Sequence, residues 1–115
     1  MTTQNVSVLA LTIPLTGTVA ANRFVTALGA QTGADGNSIG VARSSGVSGD
    51  KITVDLDGTA IVEAGAAITV GATIKSDASG RAIPWATSGA RVAIALEAAT
   101  AAGQLVEVLL IDNAA

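Results

Sequence analysis

Apolar residues alternate with polar or small ones at a period of two along most of this chain. From Val6 to Ile13, the residues Val6, Val8, Ala10 and Thr12 fall on one face of an extended strand. Ser7, Leu9, Leu11 and Ile13 fall on the other. Apolar side chains on both faces predict a strand buried on both sides or lying against another subunit. Pro14 has no backbone N–H, which predicts weakened pairing there. Thr16-Gly17-Thr18 reads as a turn. Val19 to Leu28 reads as a second extended stretch, with Ala20 to Arg23 also able to start a helical turn.

Gln31 to Asn37 is rich in Gly, Asp and Asn and predicts a loop. Ser38 to Arg43 predicts a short strand, and Ser44 to Asp50 a flexible connection. Lys51 to Leu56 predicts a strand, Asp57-Gly58 a two-residue turn and Thr59 to Glu63 the returning strand of a hairpin. Gly65 and Gly71 stand six apart, as do Ile68 and Ile74. Glycine lowers helix stability by about 1 kcal/mol relative to Ala, so this segment reads as short extended pieces between tight bends. Ser76 to Gly80 is a polar turn, and Arg81 to Pro84 leaves it. A second hairpin is predicted from Arg91 to Glu97, turning through Ala98 to Gly103 and returning over Gln104 to Ile111. The alanines between Ala93 and Ala102 also suit a short helix.

The expected architecture is therefore mainly β, in a single small domain with short hairpins and an extended N-terminal segment. Residues 1–15 form an arm or first strand, and residues 16–115 one β-rich domain. At 115 residues there is room for one domain. Val, Ile and Leu number 30 against 24 Ala, which supports a modest core. A chain this apolar, with 13% charged residues, also suits burial of surface against a partner.

Composition removes several kinds of chemistry. There is no His, Cys or Tyr, which excludes thiolate chemistry, imidazole general-base catalysis, disulfides and nearly every zinc site. Six basic residues against nine acidic ones leave a net charge of −3, so the chain lacks the basic footprint of a nucleic-acid binder. The N-terminus has no positive n-region of a secretory signal. No apolar run reaches the ~20 residues a spanning helix needs, so no membrane partner is expected. Absence of Cys is compatible with synthesis in a reducing cytoplasm.

Polar clusters have ordinary structural readings. Asp55 and Asp57 would project to one face of a strand and could flank a cation. An Asp-Gly turn and a polar strand face explain them better. Asp35-Gly36-Asn37-Ser38 starts like a calcium loop, but position 12 from Asp35 is Gly46 where a Glu is required. No phosphate-cradling glycine motif occurs. Lys51 and Lys75 lie in strand-like surroundings, with nothing in the sequence to pair either with a serine. Neither a cofactor nor a metal is expected. Trp85 is either an interface anchor or a plug for a core of small residues. Arg23, Arg43, Arg81 and Arg91 read as solvated charges that could also meet an acidic partner.

Three stretches resemble a known family. DLDGTAIVEAGAAITVGATIKSDASGRA from Asp55 to Ala82, VAIALEAA from Val92 to Ala99 and AGQLVEVLL from Ala102 to Leu110 resemble capsid cement, or head decoration, proteins of tailed bacteriophages. The likeness spans roughly residues 40 to 111 and lies in pattern and composition. It implies a small fold of the β-clip or compact β-barrel type, self-association often as a homotrimer, and a place on the outer surface of the virion head after shell expansion. It implies the major capsid protein as partner, with neighbouring subunits clamped against internal pressure.

The expected function is thus structural. Thr2, Thr3, Gln4, Asn5, Val6 and Val8 are expected to contact the shell or a neighbouring protomer, with Trp85 as a further contact. The alternative is a virion-surface module that binds carbohydrate or host surface, for which two aromatic residues offer little. An enzyme is the third reading, disfavoured by the missing His, Cys and Tyr.

Overall fold

The computed structural model describes residues 7–111, and every regular element among them is a strand. In chain order they are β1 (Ser7–Pro14), β2 (Phe24–Val25), β3 (Gly40–Ala42), β4 (Lys51–Glu63), β5 (Thr73–Ser76), β6 (Ala82–Pro84), β7 (Ala93–Ala95) and β8 (Leu105–Leu110). All ladders are antiparallel. The strand order is β2-β3-β4-β8-β7-β5-β6, with β1 added to β4 outside that path. The sheet curls until its two end strands approach: the Phe24 N–H donates to the Gly80 carbonyl at 2.8 Å, beside the start of β6. The result is a nearly closed barrel, as the family resemblance implies.

β4 organises the molecule. Its first half lies between β1 and β3, and its second half pairs with β8. Ile52 and Val54 enter a small core with Leu15, Val19, Val25 and Ala42. Ala60 and Val62 enter the larger core with Ile74, Val106 and Val108. One strand therefore serves two hydrophobic clusters.

The hairpin predicted at Asp57-Gly58 does not form. Type I′ turns need positive φ at both central residues. Gly58 has φ 89°, whereas Asp57 is not among the residues with positive φ. A single left-handed glycine bends a strand without reversing it. The β1 register is correspondingly irregular where Leu9 faces Asp57 and Ser7 faces Gly58. Pairing also continues past Pro14: Pro14 faces Lys51, and the Leu15 N–H donates to the Asp50 carbonyl at 2.8 Å.

The second hairpin forms as β7 and β8, and the helix alternative does not. Ala93 and Ala95 point inward while Ile94 lies on the outer side. A narrow barrel favours small inward residues where strands converge. Close approach explains Gly40 in the same way, because a Cβ there would lie 1.9 Å from the Asp55 carbonyl oxygen. Val19 to Leu28 resolves into a bridge at Val19, a turn at Asn22 and the short β2.

Candidate functional site: two exposed apolar surfaces

Most charged side chains are tied up inside the fold. Arg23 and Arg81 both reach Glu63, at 3.2 and 3.6 Å, and Arg81 also meets Asp77 at 3.1 Å. This network lies where β2, the end of β4 and the start of β6 meet, so it fastens the barrel seam. Arg43 pairs with the buried Asp55 at 2.7 Å, and its ionisation is held above the usual arginine range by that carboxylate. Lys75 pairs with Asp35 at 2.8 Å, and its hydrogen bond pulls the Asp35 carboxyl below its ordinary range.

These pairings decide the polar candidates. Asp55 answers Arg43, and the Asp57 carboxylate accepts the Gly58 N–H at 2.9 Å, so the two acids do different structural work. Asp35 answers Lys75 and Ser88. The Lys75 ammonium also donates to the Ser88 carbonyl at 3.3 Å. Among the described residues, no group of three His, Cys, Asp or Glu gathers in metal-binding geometry.

Trp85 is half-buried just after β6. Its indole N–H donates to the Gly89 carbonyl at 2.9 Å, and the Arg91 guanidinium lies 4.1 Å from the ring centroid. Thr2, Thr3, Gln4, Asn5 and Val6 lie outside the described residues, while Val8 belongs to β1.

The exposed large apolar side chains fall in two places. The first is β1 and the loops at its C-terminal end. Leu9 and Leu11 are 49% and 48% exposed. Leu28 and Val47 stand out near Leu15, since the Thr16 hydroxyl bonds the Leu28 carbonyl and the Gly49 N–H bonds the Leu15 carbonyl. Among the described residues β1 has a ladder with β4 alone, so its other edge is open. No charged residue occurs before Arg23. Proteins usually protect such an edge with charge, proline or a covering segment.

The second place is the outer face of β4, β8 and β7. Register puts Ile61 opposite Glu107, and Leu109 opposite both Thr59 and Ile94. Leu105 and Leu109 are 51% and 38% exposed, and Val70 projects beside them where the Gly71 N–H bonds the Ala95 carbonyl. Between the two leucines Glu107 is only 1% exposed, and its Oε1 has no hydrogen-bond partner. The Glu107 N–H donates to Glu97 Oε1 at 2.8 Å, so one carboxylate replaces a ladder acceptor beside another. Alternation along the returning stretch Gln104 to Ile111 puts Leu105, Glu107 and Leu109 on one face. A lone acid between two leucines was the available signal.

The described residues thus form a small antiparallel barrel with eight of its charged side chains in salt bridges and two clusters of exposed apolar residues. The sequence matches the family of phage cement proteins over residues 3–110, and the chain belongs to that family. It is accordingly a capsid-associated structural protein of a bacteriophage. Among solved structures, it is similar to the N base of head fiber gp8.5 in bacteriophage phi29. The TM-score is 0.71 with 22% identity, covering 90% of this chain and 93% of that one, a likeness that shows the shared fold. No curated protein matches the sequence.

Proposed function

We propose that this protein is a capsid cement that binds the outer surface of an expanded phage head and bridges neighbouring subunits of the major capsid protein. The observation that carries this reading is the open edge of β1, uncharged over its whole length and flanked by half-exposed Leu9 and Leu11. An extended segment of the shell added to that edge would gain backbone hydrogen bonds while covering both leucines. Thr2 to Val6, which precede β1, and Val8 within it would extend the contact. Trp85, partly exposed, would add a second one. The protein self-associates, as a homotrimer in the family's manner, and is made in the host cytoplasm before it meets the head.

Stabilisation follows from mass action. A protein that binds the assembled lattice and not the opened one shifts the balance toward the closed shell by RT ln(1 + [L]/Kd) per site. The effect repeats at every seam. No reaction is involved, and the internal pairing of Asp35, Asp55 and Lys75 supports a role without catalysis.

Heads prepared without the protein test this directly. Adding it back is expected to raise the temperature at which DNA is released. A variant carrying Leu9→Lys and Leu11→Lys is expected to leave that temperature unchanged. Heads equally heat-resistant with and without the protein would overturn the reading.

A further inference from the structure

The loops on either side of Gln31 enclose a cavity of about 430 Å³, within the ~300–1,000 Å³ of small-molecule sites. One wall is the turn from Thr26 to Leu28. The other is built from Thr32, Gly33 and the run Gly36 to Ile39. Both walls are tied to the barrel. The Thr26 N–H donates to the Ala30 carbonyl at 2.8 Å, the Thr32 N–H to the Phe24 carbonyl at 2.9 Å and the Ile39 N–H to the Val25 carbonyl at 2.9 Å. The cavity is therefore preformed, and two glycines keep it unfilled. A Cβ added at Gly33 would meet nothing within 4 Å, and one at Gly36 would lie 3.0 Å from the Thr32 methyl carbon.

Thr32 is the one fully buried residue in this lining, and its Oγ1 has no hydrogen-bond partner. A buried hydroxyl left unpaired is unfavourable, and valine would fill the same space without that cost. The hydroxyl makes sense where a ligand supplies the missing bond. The Thr26 hydroxyl accepts the Ala30 N–H at 3.2 Å and can still donate, and the exposed Asn37 amide can do both. Among the described residues, no charged side chain lines the cavity. Asp35, in the same loop, is tied to Lys75 at 2.8 Å. A phosphate or carboxylate ligand would thus enter without a counter-charge. No aromatic side chain among the described residues lines the cavity either, so a nucleobase would find no ring to stack on. Leu28 and Ile39 supply aliphatic surface instead. The complement is a compact neutral molecule with C–H faces and several hydroxyls.

We infer that this cavity binds a neutral sugar unit, with a sugar hydroxyl donating to Thr32 Oγ1 and the C–H face of the ring against Leu28 and Ile39. The scarcity of aromatic residues weighs against an open stacking platform for sugars and not against an enclosed site lined by hydroxyls. The inference is separate from the cement reading, because it concerns the isolated chain and none of the lining residues lies on β1.

Glucose, galactose, mannose and N-acetylglucosamine are the probes, read by saturation-transfer NMR against the intact protein. At least one is expected to bind with a millimolar Kd, and glucuronic acid is expected not to bind. A glycan array carrying the same sugars as chain ends distinguishes the sources: retention identifies a surface glycan, and binding of the monosaccharide alone identifies the free sugar.

Gly33→Leu, which projects into open space, should weaken binding by about tenfold or more with an unchanged urea midpoint. Thr32→Val should weaken it about threefold to tenfold while raising the urea midpoint, because the unpaired hydroxyl is gone. A threonine that only packs would leave sugar binding unchanged on that substitution, and that result would contradict the assignment. Failure of every neutral sugar to bind, equal binding of glucuronic acid, or full binding by Gly33→Leu would overturn the inference.

Discussion

The edge of β1 and the face of β8 are both apolar, exposed and antiparallel, yet they differ in what they can say to a partner. β1 is paired on one side only, so its free backbone groups can accept a strand of almost any sequence. β8 is paired on both sides, by β4 and by β7 with the bend that follows it, where Leu96 donates to the Glu107 carbonyl and Glu97 accepts from its N–H. Recognition at β8 therefore depends on side-chain shape and on one buried acid, which makes it the more selective surface. The lesson is that sheet position sets the kind of specificity before any side chain is chosen.

The largest expected effect breaks the first surface. Leu9→Lys with Leu11→Lys should reduce binding to heads by about a hundredfold, since two half-exposed leucines contribute at the centre of the contact. The same variant should change folding stability by only about 0.5 kcal/mol or less, as read by urea unfolding, because both side chains are already half in solvent.

Next in size is a change that tests how the β1 side of the barrel is held. Arg43→Met removes the half-exposed guanidinium that meets the buried Asp55 carboxylate, and loss of a hydrogen bond to a charged group, discounted for that exposure, destabilises by about 1.5 kcal/mol. Urea unfolding checks it. An unchanged midpoint would mean that the pair does not hold β3 to β4.

The β8 side should respond with the opposite sign. Glu107→Gln removes a buried charge whose Oε1 lacks a partner, so the isolated chain is expected to gain about 1 kcal/mol. A stability gain here beside a loss at Arg43 would sharpen the contrast between a buried acid met by a guanidinium and a buried acid with an unbonded oxygen. If Glu107→Gln destabilises the chain, the acid is structural and the contrast fails.

The smallest effect is a pH dependence at neither surface. Lys75 lowers the Asp35 carboxyl from its ordinary value of 3.8. The folded state thus binds this proton less readily than the unfolded one. Its contribution is present above that value and is lost as pH falls through the lowered folded value. Stability should decline slightly below about pH 4, and Asp35→Asn should remove that component from the pH profile.

The period-two pattern made β1, β3 and the β7–β8 hairpin legible, because each half-buried strand writes its own alternation, while β5 fell within a segment that glycine spacing marked only as short extended pieces and ran into the expected turn at Ser76. The turn at Asp57-Gly58 misled because a dipeptide common in hairpins also serves as a bend within one strand. Which it becomes depends on the partners at either side of β4, and those partners, β1 and β8, lie about fifty residues away in each direction along the chain. The open edge of β1 was half legible. Apolar residues on both faces predicted contact with another subunit, but the missing second neighbour is a fact of topology. Glu107 was visible as a residue and not as a site, since its burial and the carboxylate that bonds its N–H from the bend after β7 are facts of the fold. The internal pairing of Arg23, Arg43 and Arg81 was equally hidden, because each partner lies 4 to 40 residues away.

The central claim is that β1 lies against the shell. A reconstruction of decorated heads measures this most directly. β1 is expected on the outer capsid surface at a junction between subunits, with strand density of the shell beside its open edge. A reconstruction with β1 turned toward solvent and another surface seated on the capsid would contradict it.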